Sequence, residues 1–384
     1  MKKSDILYIK NYLSAYYVRT HEKIYNMVKE PEKREWAILS IDGKMIRHIS
    51  IPNLRDFKSK LSNYIPKGVY YSASYYEYPG NAMDQKYRLK TDVIFDLDAD
   101  HIPRVNVVRI FRCTNRSCGE FGEKEKCVIC GSETKEIVFV DDNVVNSMIK
   151  ELNYLLSILK ETLGIDEFLI RIYFSGLRGF HVHIEDGPLL ELDDIERISL
   201  KDFFTLDSLD LSSIRDENAY LVVKLIDELQ NLLGAVETKE LKAILTEIDK
   251  LKNDRKGLYR FLRSLDRDKE LLRKFNDFIS SKLGIGIDPA VITDLSRLIR
   301  APYSIHGKSG LIKLPVTLEV LEKTSIIKEA MPTNVKCKVH VYYLPRIKWG
   351  GEEYGPFFNE TTILPESLAI YIVNLKIGES LSIP

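Results

Sequence analysis

No apolar run in this chain approaches the ~20 residues that a membrane-spanning helix needs. The first residues, MKKSDILYIK, continue into polar, charged sequence instead of the apolar stretch of a signal peptide. The expectation is a soluble, cytoplasmic protein. Net charge is missing too: 56 Lys plus Arg balance 56 Asp plus Glu, so no global positive field draws the chain to nucleic acid. Any contact with DNA has to come from a local patch. Cysteine is scarce, five residues in 384, and four of them fall between Cys113 and Cys130. Such a cluster in a chain without an export signal favours metal ligation over disulfides. Cys337 stands alone and reads as a small buried residue. Internal repeats and low-complexity tracts are absent, and a 45% hydrophobic content sets the chain apart from disordered proteins, with enough apolar residues for one large core or two moderate ones.

What is present divides the chain by texture. Residues 1 to about 190 mix β-rich runs such as KGVYYSASYYEY, TDVIFDLDAD and FLIRIYF with helical stretches, notably MIKELNYLLSILKETLG. From Leu192 to Leu283 the spacing turns helical, as in AYLVVKLIDELQNLLG and ELLRKFNDFISSKLG. From Ile285 short strands and helices return. The pattern predicts a mixed α/β (α+β) fold: a split core of residues 1–190 plus 285–384, interrupted by a helical insertion over 192–283.

Three segments carry chemistry. In TDVIFDLDAD the period of two puts Val93, Phe95, Leu97 and Ala99 on one face and Ile94, Asp96, Asp98 and Asp100 on the other. Asp96 and Asp98 then project side by side and repel. A divalent cation or a neighbouring Arg or Lys would hold both ionised, and magnesium, which shares itself between carboxylates, water and phosphates, suits them. An isolated DxD pair is common, and taken alone it more often marks an exposed acidic strand face or the end of a strand at a turn.

The second segment, FLIRIYF-SGLRG-FHVHIE, reads as two strands about a tight loop, with Phe180, Val182 and Ile184 on one face and His181 and His183 on the other. Its two glycines let backbone N–H groups approach an anion. Ser175, Arg178 and His181 add donors suited to triphosphate oxygens. His183 reads either as a metal ligand or, more plainly, as a satisfied surface histidine. In the third segment, IDPAVITDLSRLIRAPYSIHGKSG, Thr293 or Asp294 is expected to cap a short helix with Leu295, Leu298 and Ile299 inward and Arg297 and Arg300 on another face. Asp288 supplies a third carboxylate, and Arg300, His306 and Lys308 a cationic rim.

FDLDAD, SGLRGFHVHI and LIRAPYSIHGKSG, in that order, together resemble the catalytic small subunit of the archaeal and eukaryotic-type DNA primases, as does YYSASYYEYPG upstream. The resemblance covers roughly residues 1 to 320. It implies that Asp96, Asp98 and Asp288 hold two divalent cations (Mg2+ or Mn2+) for nucleotidyl transfer, and that Ser175, Arg178, His181, Arg300, His306 and Lys308 bind the nucleotide. Asp294 is the alternative third ligand. It further implies an enzyme of the DNA-directed RNA polymerase type that makes short primers from NTPs, or from dNTPs, on single-stranded DNA, working with a large subunit beside the nucleoid of an archaeal cell. The other readings are a stand-alone primase-polymerase or repair polymerase of the same superfamily, or a zinc-bearing DNA-binding subunit without catalysis. One departure stands out: Leu177 lies where some family members carry another base, leaving the phosphate grip one charge short.

Cys113, Cys118, Cys127 and Cys130 form C-x4-C-x8-C-x2-C within a loop of about 111–132. Four thiolates with a terminal CxxC before Gly131 fit a closed, structural zinc site, with an iron–sulfur centre or reduced thiols as alternatives. Arg104, Arg109, Arg112, Arg116, Lys124 and Lys126 surround it, either as contacts to template phosphates or simply as a solvated surface loop. Tyr70, Tyr71, Tyr75 and Tyr76 are either stacking platforms for template bases or core.

Overall fold

The computed structural model describes residues 2–99, 102, 107–115, 117–206 and 226–381. Asp100, Arg104, Arg116 and part of the expected AYLVVKLIDELQNLLG helix lie outside them. Two antiparallel sheets sit at the centre. The first contains β1 (Arg34–Leu39), β2 (Met45–Ile49), β3 (Gly68–Tyr76), β4 (Arg88–Thr91) and the late strand β11 (Leu298–Arg300), in the order β11-β3-β1-β2 with β4 also on β3. The second, β12-β9-β10-β5, is built from β5 (Val93–Asp98), β9 (Ile170–Phe174), β10 (Gly179–Ile184) and β12 (Leu314–Val316).

Both sheets share one apolar core, which the N-terminal helix Lys3–Asn26 joins. That helix buries Tyr8, Ile9, Tyr12, Leu13, Tyr16 and Tyr17, the i, i+3, i+4 stripe of an amphipathic helix. Its tyrosines also reach polar backbone: the Tyr12 hydroxyl donates to Gly310 O at 2.7 Å, Tyr16 to Tyr303 O at 2.6 Å, and the Ile305 N–H donates to the Tyr17 hydroxyl at 3.2 Å. The first helix thus pins the loop 303–310.

Strand β3 is covered on both faces, which decides the tyrosine question. Tyr71, Tyr75 and Tyr76 are core residues. Arg34 is buried with them, paired with Asp92 at 2.7 Å and lying over the Tyr75 ring at 3.3 Å. Only Tyr70 is half-exposed.

Between β5 and the helix Asp142–Ser157 a small sheet, β7-β6-β8, is formed by β6 (Val108–Cys113), β7 (Phe121–Gly122) and β8 (Thr134–Phe139). After β10, the helix Asp194–Thr205 leads to the helices Leu229–Ala235, Lys239–Leu251, Arg255–Ser264 and Lys269–Leu283, which enclose a second core around Leu245, Ile248, Leu258, Leu262, Phe275 and Ile279. The two ends of this segment leave the main body side by side: Ser280 Oγ donates to Thr205 O at 2.9 Å and Ile285 N to Phe204 O at 2.9 Å. The chain closes with the sheet β16-β13-β17, from β13 (Lys336–Leu344), β16 (Phe357–Pro365) and β17 (Gly378–Ser380), and a hairpin of β14 (Ile347–Trp349) and β15 (Glu352–Tyr354).

The third segment departs from expectation. The helix is Pro289–Thr293, and its cap is Asp288, whose carboxylate accepts from Ala290 N at 3.0 Å. Proline at the first helical position favours this start. Asp294 instead bends the chain, its carboxylate accepting from Ser296 N at 2.9 Å. Leu298, Ile299 and Arg300 are then strand, paired with Ser72, Tyr71 and Tyr70. Tertiary pairing with β3 overrides the helical spacing.

Candidate active site

The register of β5 against β10 brings the first two motifs together: Asp96 lies opposite His181 and Asp98 opposite Gly179. Val93, Phe95 and Leu97 are buried beneath, while Asp96 and Asp98 keep partial exposure on the other face. Glycine at 179 is dictated by close approach, since a Cβ there would lie 1.8 Å from Leu97 O. Gly176, at φ +88°, opens the turn in the left-handed region.

The third motif arrives by backbone pairing. Ile287 bridges Leu97, and Asp288 N donates to Asp96 O at 2.8 Å. Asp288 thereby joins the acidic pair, and each carboxylate meets a base. Arg178 Nε is 2.7 Å from Asp98 Oδ1, Arg297 Nη2 is 3.0 Å from Asp288 Oδ2, and His181 Nε2 is 3.4 Å from Asp96 Oδ1. Burial, then the charges of Asp98 and Asp288, push the Asp96 carboxyl up to about 6, because each disfavours the ionised form. Asp294 faces away into its own turn, which leaves Asp288 as the third carboxylate of the cluster.

His306, Arg300 and Lys308 form the other side. His306 sits against Gly176, where a Cβ would come within 3.0 Å of His306 Cβ. The Ser309 hydroxyl donates to Gly176 O, tying the two turns together. Burial, Arg300, Lys308 and Arg178 hold His306 well below the usual imidazole range. Arg300 donates to the Tyr70 hydroxyl at 2.8 Å and to Ile305 O at 3.1 Å. Lys308 is exposed beside it, and Ser175 braces its own turn by accepting from Leu177 N at 3.4 Å. His181 Nδ1 is buried with no hydrogen-bond partner among the described residues. Of the six expected nucleotide-binding residues, Arg178 and His181 meet the carboxylates directly, while Ser175 lies in the same turn as Arg178 and His306 packs against that turn at Gly176. Leu177 is buried in the core.

His183, expected at the surface, is fully buried: Nδ1 lies 3.1 Å from Glu185 Oε1, and Nε2 3.1 Å from Lys313 Nζ. Position two residues beyond His181 put both imidazoles on one face of β10, and the packing of Tyr173 and Lys313 closes over the deeper one. Sequence reasoning missed Arg297 as the partner of Asp288, and Lys313 altogether. Nothing in the local pattern marks a lysine in LIKLPV as internal.

The four cysteine thiols converge as a second site, with all four sulfurs within 4.8 Å of one another. Cys113 Sγ lies 3.4 Å from Cys130 Sγ, and Cys118 Sγ 3.7 Å from Cys127 Sγ. A tetrahedral zinc–thiolate centre has sulfurs about 3.8 Å apart, so this donor set can hold a metal. Arg109 pairs with Glu136 at 2.8 Å, and Arg112 donates to Lys376 O at 3.0 Å, so both are engaged within the protein.

Residues 133–318 match the DNA primase small subunit family. The DNA primase small subunit PriS of Pyrobaculum calidifontis is 30% identical over 308 residues, covering 80% of this chain and 77% of that protein. The chain belongs to this family. The PriS of Picrophilus torridus is 28% identical over 393 residues, covering 96% of both chains, so the primase likeness extends past the family match and takes in Asp96 and Asp98. Among solved structures, the polymerase domain from Mycobacterium tuberculosis Ligase D in complex with DNA aligns over 82% of this chain and 83% of that one at 10% identity and a TM-score of 0.37. No helix of the described residues is long and apolar enough to cross a membrane.

Proposed function

We propose that this primase small subunit synthesises short primers on single-stranded DNA by template-directed nucleotidyl transfer. The observation that carries the reading is the meeting of three distant segments, 96–98, 175–181 and 288–308, in one site with an acidic pole beside a cationic one. The substrates are a template strand and nucleoside triphosphates. A 3′-hydroxyl attacks the α-phosphorus, the new O–P bond forms, and pyrophosphate leaves in line.

Asp96, Asp98 and Asp288 would hold divalent cations, Mg2+ or Mn2+; the raised Asp96 carboxyl and three clustered acids fit such ions. When bound, these ions supply charge neutralisation at the phosphates and acidify the attacking hydroxyl. Arg178, His306, Lys308 and Arg300 grip and orient the triphosphate, with the Ser175 hydroxyl and the free His181 Nδ1 as further polar contacts. Arg178 now pairs with Asp98; with nucleotide present its planar fork serves a phosphate instead. The four cysteines hold one zinc that folds the β6–β8 loop without taking part in the reaction. Residues 192–283 act as a helical insertion in the catalytic core, and a large subunit completes the working heterodimer.

Two variants test this. Asp96→Ala is expected to abolish primer synthesis while the circular dichroism spectrum stays native; near-normal polymerisation would overturn the carboxylate assignment. Arg178→Ala should raise the nucleotide KM by roughly 10- to 100-fold, as the loss of a charged hydrogen bond implies, with template affinity little changed. Weaker template binding at unchanged nucleotide KM would reassign the SGLRG turn to DNA.

A further inference from the structure

A lysine from outside all three motifs reaches the cationic pole. Lys67 stands in the short connection before β3, and its backbone N–H is fixed by Leu39 O at 2.7 Å. Its aliphatic stem runs against the HGKSG turn: a Cβ on Gly307 would lie 2.5 Å from Lys67 Cγ and 2.7 Å from Lys67 O. Asn374, from the helix Glu366–Leu375, locks the pair by donating to both Gly307 O and Lys308 O at 3.1 Å while accepting from Lys67 Nζ at 3.3 Å. On the next residue, a Cβ at Gly68 would meet Arg300 Nη1 at 2.9 Å. Lys67 is thus built into the turn of Lys308 and borders Arg300.

Electrostatically this arrangement is unfinished. Among the described residues no carboxylate pairs with Lys67, and its hydrogen-bond partner is a neutral amide. Partial burial and the like charge of Lys308 both hold its ammonium below the usual lysine range. Two cations fixed beside each other without a counter-charge repel, and a multiply charged anion between them removes the repulsion. Order along the site says which anion. The contacts run in sequence from the carboxylates outward: His181 and Arg178 pair with Asp96 and Asp98, His306 packs on Gly176 of the Arg178 turn, and Lys308 and Lys67 are fixed on the His306 turn. An α-phosphate beside the carboxylates would extend its terminal phosphates toward Lys308 and Lys67.

We infer that Lys67 is a nucleotide-binding residue, which with Lys308 grips the terminal phosphates of the incoming nucleoside triphosphate. It supplies, from a position 110 residues away in sequence, the charge that Leu177 leaves out of the SGLRG turn. This rests on reading that turn and the HGKSG turn as a triphosphate cradle.

The test compares Lys67→Ala and Lys67→Arg in steady-state primer extension by the full chain, alongside competition by inorganic tripolyphosphate. Lys67→Ala is expected to raise the nucleotide KM by roughly 3- to 10-fold, a modest effect because the ammonium is partly exposed. Its kcat and template affinity should hold, tripolyphosphate should inhibit it correspondingly more weakly, and Lys67→Arg should restore most of both. An unchanged KM and tripolyphosphate inhibition in Lys67→Ala, or a loss confined to template affinity, would sink the inference. Equal damage from Ala and Arg would also overturn it, by showing that the stem against Gly307 is what matters. If Arg178→Ala also leaves KM unchanged, the cradle reading itself fails; if Arg178→Ala raises KM and Lys67→Ala does not, only the role of Lys67 falls.

Discussion

At the scale of single residues, the site is a set of charges whose partners come from elsewhere in the chain. Asp98 is answered by Arg178 and Asp288 by Arg297, while Lys313 meets an imidazole, with its Nζ 3.1 Å from His183 Nε2. Lys313 is fully buried, and its ammonium is pushed down to about 7, first by burial. Around it stand Glu185, Asp96 and Asp92, the Arg300 guanidinium, the His183 imidazole and the Tyr173 ring. An unfolded lysine keeps its proton up to about 10.4. Between those values the unfolded chain binds more protons than the native one, so stability rises with pH from about 7 upward, by on the order of 1 kcal/mol per unit at most. Lys313→Met should flatten that slope between pH 7 and 9 in thermal melts. An unchanged slope would mean that Lys313 keeps its charge in the fold.

At the scale of elements, the β6–β8 sheet depends on what its loops hold. Cys113 ends β6, and the other three thiols stand on turns whose apolar neighbours Val128 and Ile129 are exposed. Three short strands with so small a buried face are marginal without a staple. Freshly purified protein should carry about one zinc per chain. Cys127→Ser should release it and strip hydrogen-exchange protection from β6 and β8, with nucleotide binding only partly reduced. Iron, or no metal, by elemental analysis would overturn the zinc assignment.

At the scale of the whole molecule, two apolar cores divide the labour. The sheets that carry the site share one, and the helices of 226–283 have another. Leu245 is fully buried in the second. Leu245→Ala should cost about 2–5 kcal/mol of local stability, read as lost exchange protection in the helices Lys239–Leu251 and Lys269–Leu283. Amides of β5 and β10 should keep theirs. Loss of protection throughout would mean that the helical segment and the two central sheets unfold as one unit.

The acidic face of β5, the glycine turn before β10 and the four-thiol spacing were legible in the amino-acid sequence, because each is a local pattern: a period of two, a residue free to take positive φ, a fixed ligand interval. Local spacing failed at residues 294–300. There a helical pattern gave way to strand because β3 offers a partner that the local sequence does not contain. Core packing of Tyr71 and Tyr75 was among the readings the sequence offered and is what the structure has, but the burial of His183 was out of reach, since exposure depends on which layers close over a strand. The same holds for Lys67 and Lys313, cations whose neighbours lie up to 307 residues away. Sequence alone determined which chemistry the chain carries, through residue types at short intervals. Tertiary structure decided which charges face one another, because an ion pair or a phosphate cradle is set by distance in space.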